Sequence, residues 1–191
     1  MRSLTTCSIA LSLLSVTALA GAAGGPPVPP IKPGLWEVKS TALDASGKPQ
    51  APPEQAAMAN MPPEVRERMA AMMKSRGVQM ADANGATRVC QTKESLSSGR
   101  WQAAAANMGC TSSYTVESAN AWKFHSSCEK MKAQSDGEVR FTDAENYTMK
   151  MTSSTSILGK PNSSTRVMEG HWVGANCGDI KPFDPDSLKA P

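Results

Sequence analysis

The stretch Cys110-Thr-Ser-Ser-Tyr-Thr-Val-Glu-Ser-Ala-Asn-Ala-Trp-Lys-Phe-His-Ser-Ser-Cys128 decides the fold of this chain. Two alternating runs flank Ser118-Ala119-Asn120, whose Asn tolerates the left-handed backbone conformation that ends a short hairpin loop. The pattern predicts a β-hairpin in which directly opposite residues share one face of the sheet. With Glu117 opposite Ala121, the facing pairs are Val116 and Trp122, Tyr114 and Phe124, and Cys110 and Cys128.

The same register predicts the disulfides. The chain has 5 cysteines, and Cys7 lies within an N-terminal leader. The even number that is left in an exported protein argues for two disulfide bonds. Because the hairpin register pairs Cys110 with Cys128, the remaining pair is Cys90 with Cys177.

Residues 1–20 have the composition of a signal peptide. Arg2 supplies positive charge, an apolar run extends to Leu19, and Ala18-Leu19-Ala20 has the small-x-small pattern of a cleavage site. The apolar run is shorter than a membrane span requires, and no second run of that length follows. We expect cleavage near Ala20 and a periplasmic or secreted mature protein without a transmembrane segment.

The mature chain is expected to form one disulfide-linked domain. Residues 21–33 are a proline-rich linker, because Pro26-Pro27-Val28-Pro29-Pro30 joins neither a helix nor a β-ladder. Residues 34–178 contain the alternating segments and the mature cysteines, and residues 179–191 form a C-terminal tail. Without the leader the net charge is close to neutral and no basic stripe exists, so nucleic acid is not expected as a partner.

Alternation of apolar and polar residues predicts most of the secondary structure. Besides the two strands of the hairpin, strands are predicted at 34–41, 87–91, 137–142, 146–155 and 163–173. Short connections between successive strands favour antiparallel pairing. The predicted fold is mainly β: an antiparallel meander of about seven strands, curled into a sandwich or barrel-like sheet, with one inserted amphipathic helix.

The inserted helix is predicted at about residues 62–76, because Pro62 and Pro63 suit a first helical turn and Gly77 suits the end. Half of the chain's 12 methionines lie between Met58 and Met80. The apolar stripe of this helix consists of Val65, Met69, Met72 and Met73.

Three interpretations of this stripe compete. In the first, the stripe packs on the sheet, where flexible methionine side chains fill irregular gaps. In the second, it covers an apolar cavity that accommodates a small apolar ligand. The candidate lining residues of that cavity are Trp36, Val65, Met69, Met72 and Met73. The third interpretation is a Cu(I) site, because Met58-x-x-Met61 and Met69-x-x-Met72 bring soft thioether ligands to one side of a helix.

Several short motifs resemble those of a known family. They are Pro33-Gly34-Leu35-Trp36-Glu37, Met61-Pro62-Pro63-Glu64-Val65, Gly77-Val78 and Cys90-Gln91-Thr92, together with the later cysteines. From about Pro33 to Cys177 the chain is similar to small exported bacterial proteins that are catalogued only as a domain of unknown function. Gly174-Ala175-Asn176-Cys177 departs from the family's tendency to place Gly just before an acidic residue and the last cysteine. The resemblance implies a bacterial envelope or periplasmic location and carries over no catalytic residue.

Motifs for catalysis and cofactor binding are not found in the sequence. The only histidines, His125 and His171, lie far apart in alternating segments, and no Cys-x-x-Cys exists, so a zinc site is disfavoured. A nucleophilic triad would need one histidine beside a serine and a carboxylate, yet no Gly-x-Ser-x-Gly turn occurs. Oxidised cysteines offer no thiolate nucleophile, and no cofactor is expected.

The sequence therefore favours a non-catalytic periplasmic binding or envelope-accessory protein. Its apolar ligand would lie between the sheet and the methionine-rich helix. A methionine-based Cu(I)-handling protein is the alternative, and an enzyme of unknown type is the third. The enzyme hypothesis would gain support from a pocket that brings His125 or His171 together with carboxylates.

Overall fold

The computed structural model describes residues 27–50, 58, 60–80, 86–97, 105–107, 109–157 and 160–182. The predicted signal peptide, linker residues 21–26 and tail residues 183–191 lie outside the described residues. In chain order the elements are β1 (Gly34–Leu43), β2 (Pro49–Gln50), α1 (Pro63–Ser75), β3 (Val78–Met80), β4 (Ala86–Gln91), α2 (Lys93–Ser97), β5 (Cys110–Ser118), β6 (Ala121–Cys128), a 3₁₀-helix (Glu129–Met131), β7 (Ala133–Phe141), β8 (Asn146–Ile157) and β9 (Lys160–Gly174).

The described strands form one antiparallel sheet of nine strands in the order β3-β4-β1-β9-β8-β7-β6-β5, with β2 paired to β1. Strands β5 to β9 are a meander, but β1 lies between β9 and β4, so the order is not fully sequential. The mainly β, antiparallel fold class is confirmed. The sheet is open, and β2 and β3 were missed because two or three residues are too few for alternation to be recognised.

The central hairpin has the predicted facing pairs. Cys110 pairs with Cys128, Tyr114 with Phe124, and Val116 with Trp122. At the turn the prediction was one residue off, because Ser118 rather than Glu117 pairs with Ala121, and the register shifts between Val116 and Ser118. A local irregularity next to the turn absorbs the extra residue, which leaves the register of the rest of the hairpin unchanged.

Both disulfides are formed in the structure. Cys110 and Cys128 join the neighbouring strands β5 and β6, with their Cα atoms 4.1 Å apart. Cys90 at the end of β4 is bonded to Cys177 just beyond β9, with a Cα separation of 5.6 Å. Because β1 lies between β4 and β9, the second bond spans β1. The sheet stays open, whereas a sandwich or barrel-like sheet was predicted.

Strand register gives the sheet two different faces. The apolar face carries Trp36, Val38, Tyr114, Val116, Trp122, Phe124, Val139, Phe141, Tyr147, Met149, Met151 and Met168. The polar face carries Glu37, Lys39, Ser113, Thr115, Lys123, His125, Asp136, Glu138, Arg140, Thr148, Lys150, Thr152, Glu169 and His171. An antiparallel sheet that packs on one side and meets water on the other has this alternation.

Two glycines of the apolar face provide room for aromatic rings. Gly170 faces Tyr147 across β9 and β8, and a Cβ on Gly170 would lie 2.2 Å from Cε1 of Tyr147. Gly137 faces Phe124, and a Cβ there would lie 2.3 Å from Cε1 of Phe124. Each ring therefore lies across the backbone of the next strand, which only a glycine permits.

The glycine of the Pro-Gly-Leu-Trp-Glu segment has a backbone role. Gly34 has a φ of 137°, a conformation that side chains disfavour. A Cβ on Gly34 would lie 2.2 Å from the carbonyl oxygen of Gly174, on β9. This position therefore lets β1 enter the sheet in close contact with β9.

Helix α1 begins and ends within one residue of the predicted limits. Pro63 occupies its first turn, and the N–H of Gly77, with a φ of 82°, donates to the carbonyl oxygen of Lys74 over 3.1 Å. The helix contacts β3 and contains no buried residue. Lys74 Nζ lies 3.4 Å from Asp179 Oδ2, and the nearby Ile180 is buried, so the first residues of the tail pack on the domain.

We expect loss of the Cys90–Cys177 bond to destabilise the protein more than loss of the hairpin bond. The sequence separations are 87 and 18 residues, and a longer closed loop restricts the unfolded chain more. Replacing both cysteines of a pair with alanine should lower the free energy of unfolding by about 4–5 kcal/mol for the long loop and about 3 kcal/mol for the short one. Urea denaturation of both variants checks the order, which equal or reversed losses would contradict.

Gly170→Ala should lower the free energy of unfolding by about 1–3 kcal/mol, because the added methyl group displaces the Tyr147 ring. The matched control is Gly174→Ala on the same strand, where a Cβ meets nothing within 4 Å. The control should stay within about 0.5 kcal/mol of the wild type. Urea denaturation measures both, and an equal effect of the two substitutions would show that the ring does not depend on this glycine.

Candidate apolar binding site

A cavity of about 340 Å³ lies on the apolar face of the sheet. Its lining consists of Pro29, Ile31, Trp36, Gln91, Leu96, Tyr114, Trp122, Phe124, Val139, Phe141, Tyr147, Met149 and Met151. The contributing strands are β4, β1, β8, β7, β6 and the edge strand β5, so the cavity extends over most of the width of the sheet. Leu96 comes from α2, and Pro29 and Ile31 come from the segment before β1.

The lining includes a connected series of aromatic rings. The Trp36 and Tyr147 ring centroids are 5.4 Å apart, those of Tyr147 and Phe141 are 6.4 Å apart, and those of Phe141 and Trp122 are 5.0 Å apart. The last two pairs meet edge to face, which is a favourable arrangement of aromatic quadrupoles. Trp36 is only 1% exposed. The series therefore joins β1, β8, β7 and β6 into one apolar surface.

The cavity lining carries no charged side chain among the described residues. Desolvation raises the pKa of Tyr114 and of Tyr147 to about 12, so both phenols are neutral at physiological pH. Tyr114 also stacks on Phe124, with ring centroids 6.1 Å apart. Among the described lining residues, the side chains with hydroxyl or amide groups are these tyrosines and Gln91, to whose Oε1 the Ser95 hydroxyl donates over 3.3 Å.

The segment of residues 29–33, here called the strap, is fixed beside the cavity through Lys32. The Lys32 N–H donates to the carbonyl oxygen of Ala144 over 2.9 Å, and its Nζ lies 2.5 Å from Glu145 Oε1. The same ammonium group lies 5.0 Å from the centre of the Trp172 ring, a cation–π geometry. Lys32 thus anchors the strap to the β7–β8 turn and to β9.

The strap also accepts hydrogen bonds from two indoles. Trp36 Nε1 donates to the carbonyl oxygen of Lys32 over 2.9 Å, and Trp172 Nε1 donates to that of Pro33 over 3.0 Å. Pro29 and Ile31 of the strap line the cavity. The buried Trp36 therefore contributes both to the cavity wall and to the attachment of its neighbouring segment.

Only one of the five predicted lining residues lies at the cavity. Trp36 lines the cavity, whereas Val65, Met69, Met72 and Met73 are not among its lining residues. Val65 and Met72 are 45% and 48% exposed on α1, which contacts β3 instead. The predicted stripe is partly exposed, because α1 contains no buried residue. Helical periodicity contains no information about the element that a helix contacts.

Sequence reasoning did not assign the aromatic residues to a site. Alternation places Tyr114, Trp122, Phe124, Phe141 and Tyr147 on one face, but the same pattern describes a filled core. The signal that was available is the number of large rings at adjacent positions of the meander, together with the glycines that face two of them.

The polar face gathers each histidine with a carboxylate, His125 with Asp136 and His171 with Glu169, in two separate cavities. His125 Nδ1 lies 2.7 Å from Asp136 Oδ1, and Ser113 is opposite His125 on the next strand. The His125 and Asp136 side chains are 49% and 73% exposed, and no hydrogen bond joins the described Ser113 and His125 side chains. A nucleophilic serine needs a hydrogen bond to its base, so this row of side chains has one of the two contacts of a triad.

His171 Nδ1 lies 2.8 Å from Asn146 Oδ1 on the polar face. Within the described residues, no group of three or more His, Cys, Asp or Glu side chains is arranged to hold a metal ion. Of the helical methionines considered for Cu(I), Met69 is half-buried and Met72 is exposed. None of the described helices has the length and apolarity that a bilayer crossing requires.

Comparisons with known proteins give the family. Residues 31–177 match the family described as "Protein of unknown function (DUF3617)". The "Uncharacterized protein in lpd-3 5'region" of Pseudomonas putida is 35% identical over 115 residues, which cover 58% of this chain and 77% of that protein. No solved structure matches the chain. The matched region begins within the strap at Ile31, ends at Cys177 and contains both disulfides and every lining residue of the cavity except Pro29. The chain accordingly belongs to the DUF3617 family.

Proposed function

We propose that this protein is a non-catalytic binding protein of the bacterial periplasm that holds a small apolar ligand on the concave face of its sheet. The observation that carries the proposal is the cavity of about 340 Å³ with an aromatic and thioether lining. Small-molecule sites have volumes of roughly 300–1,000 Å³ and are lined mainly by apolar side chains with a few polar groups. The proposed location follows from two disulfides, which form and persist in oxidising compartments.

The lining restricts the chemistry of the ligand. A charged group inside the cavity would lose its hydration and find no counter-ion among the described lining residues. The bound part is therefore uncharged, and an acyl chain or an aromatic ring system suits it. A polar end group can interact with Gln91 or the tyrosine hydroxyls, and a charged head group stays outside. Met149 and Met151 add adaptable contacts, because methionine side chains adjust to ligands of different shape.

The first test uses protein purified from its native periplasm and the uncharged dye N-phenyl-1-naphthylamine. Native mass spectrometry should detect a co-purifying apolar molecule, and fatty acids should displace the dye from the delipidated protein. Met151→Lys should weaken dye binding at least roughly tenfold, because it places an unpaired charge in the cavity. Thr152→Lys is the matched control, since the neighbouring side chain lies on the polar face and is exposed.

Circular dichroism verifies that both lysine variants fold, and Val139→Trp, which fills the cavity without charge, serves as a second variant. It too should reduce dye binding. Ligand-free mass spectra together with equal dye affinity in wild type, Met151→Lys and Val139→Trp would overturn the proposal in favour of a filled core.

The second test concerns the strap. Lys32→Ala removes an exposed ion pair and a cation–π contact, each worth at most about 1 kcal/mol. We expect dye release to become roughly 3- to 10-fold faster, because Pro29 and Ile31 are then held less firmly beside the ligand. Stopped-flow fluorescence measures the release rate. Lys48→Ala, at an exposed lysine remote from the cavity lining, should leave it unchanged, and an equal rate in all three proteins would exclude a role of the strap in retention.

A further inference from the structure

We propose that the ligand of the apolar cavity is an uncharged planar aromatic compound of two or three fused rings, which binds more tightly than a saturated compound of the same size. This inference rests on the proposed function, because it narrows the class of ligand for the same cavity. Its basis is the distribution of aromatic residues. The chain contains 4 Trp, 2 Tyr and 3 Phe. Six of these nine residues line the cavity, namely Trp36, Tyr114, Trp122, Phe124, Phe141 and Tyr147.

The composition of the lining distinguishes an aromatic ligand from a saturated one. Aromatic residues are only 5% of the chain, yet they supply almost half of the described lining residues. A saturated ligand gains from the burial of its apolar surface, which aliphatic walls provide equally well. An aromatic ligand gains in addition from an offset-stacked or edge-to-face contact with each ring that it meets. The concentration of rings around one cavity therefore favours an aromatic ligand.

The rings of the lining meet at angles that suit a flat molecule. The planes of Trp122 and Phe141 are inclined by 74°, and those of Phe141 and Tyr147 by 61°. A planar ligand that lies parallel to Phe141 is inclined by the same angles to its two neighbours. One orientation of the ligand can thus combine a stacked contact with edge-to-face contacts, the two favourable arrangements of aromatic quadrupoles.

Several lining side chains have surface left for a ligand to cover. Phe124, Tyr147, Met149 and Met151 are half-buried. The two aromatic residues of this group are those that face glycines across neighbouring strands. The two methionines add to the preference, because thioether sulfur makes favourable contacts with the edges of aromatic rings.

The size and polarity of the cavity define the ligand further. A cavity of roughly 150 Å³ holds one benzene molecule, so a cavity of about 340 Å³ has room for two or three fused rings. Among the described lining residues, only Gln91, Tyr114 and Tyr147 carry hydroxyl or amide groups. A nucleobase or a sugar would leave most of its hydrogen-bonding groups unpaired, which costs free energy. The ligand is therefore a hydrocarbon-like ring system with one or two polar substituents at most.

The test compares 2-naphthol with decahydro-2-naphthol, which share one carbon skeleton and one hydroxyl group but differ in aromaticity. Each competes with N-phenyl-1-naphthylamine for the delipidated protein at pH 7. Burial of apolar surface alone gives the saturated compound at least equal affinity, so the opposite order isolates the ring contacts. We expect 2-naphthol to displace half of the dye at a roughly tenfold lower concentration, because two ring contacts contribute roughly 2- to 10-fold each.

Phe124→Leu removes one lining ring and keeps an apolar side chain. It should lower the preference for 2-naphthol roughly 2- to 10-fold and leave the affinity for decahydro-2-naphthol unchanged. Ile31→Leu is the matched control, because it changes another lining side chain without removing a ring, and it should keep the preference of the wild type. Circular dichroism verifies that both variants fold.

Methyl NMR of the wild type locates the ligand independently of the variants. Ring currents of bound 2-naphthol should shift the methyl signals of Met149 and Met151, and the signal of Met72, which is not among the lining residues, should stay unchanged.

The possible failures separate this inference from the proposed function. Dye binding together with equal or weaker displacement by 2-naphthol would overturn the aromatic preference and leave the proposed function supported. A preference that Phe124→Leu does not reduce, or methyl shifts that omit Met149 and Met151, would do the same. A wild-type protein that binds neither the dye nor either alcohol would overturn both.

Discussion

The contact of the Tyr147 ring with the backbone of Gly170 is the constraint on which the apolar face depends. Because a Cβ on Gly170 would lie 2.2 Å from the ring, the ring can lie across β9 and reach Trp36 on β1. On its other side the same ring contacts Phe141. One glycine thus lets an aromatic side chain connect strands that are separated by β9, and Phe124 over Gly137 repeats the arrangement nearer the β5 edge. The cavity of about 340 Å³ lies on the same face as these two rings, and both rings line it.

Charged groups hold the strap in place and lie mainly away from the apolar face. Lys32 combines an ion pair with Glu145, a cation–π contact with Trp172 and a backbone hydrogen bond to Ala144. The Lys32 side chain is 48% exposed, so water can solvate its ammonium group, whereas Pro29 and Ile31 of the strap line the cavity. Most charged residues of the strands occur on the opposite face. Arg166, which pairs with Met151, is an exception in register, but no charged residue is among the described residues that line the cavity.

Local sequence patterns predicted the register of the central hairpin away from its turn, since alternation has only two phases. They also predicted the family. They did not predict that β1 lies between β4 and β9, because that pairing depends on contacts far apart in sequence. The same limit explains the lining residues that were assigned to α1. An amphipathic stripe indicates burial against something, and here α1 contacts β3, whereas the sheet itself supplies the cavity.

The two disulfides explain how such a domain tolerates an unfilled apolar face. A small domain with an open sheet buries less apolar surface than a closed barrel or sandwich of the same length, and the cavity forfeits further contacts. Cross-links destabilise the unfolded chain instead of adding contacts to the folded one. Cys90–Cys177 acts where β4, β1 and β9 meet, and Cys110–Cys128 acts at the β5 edge. The two disulfides therefore stabilise the domain near both edges of the sheet. The aromatic surface between the two bonds does not need to be covered by other core side chains, and it stays available for another molecule.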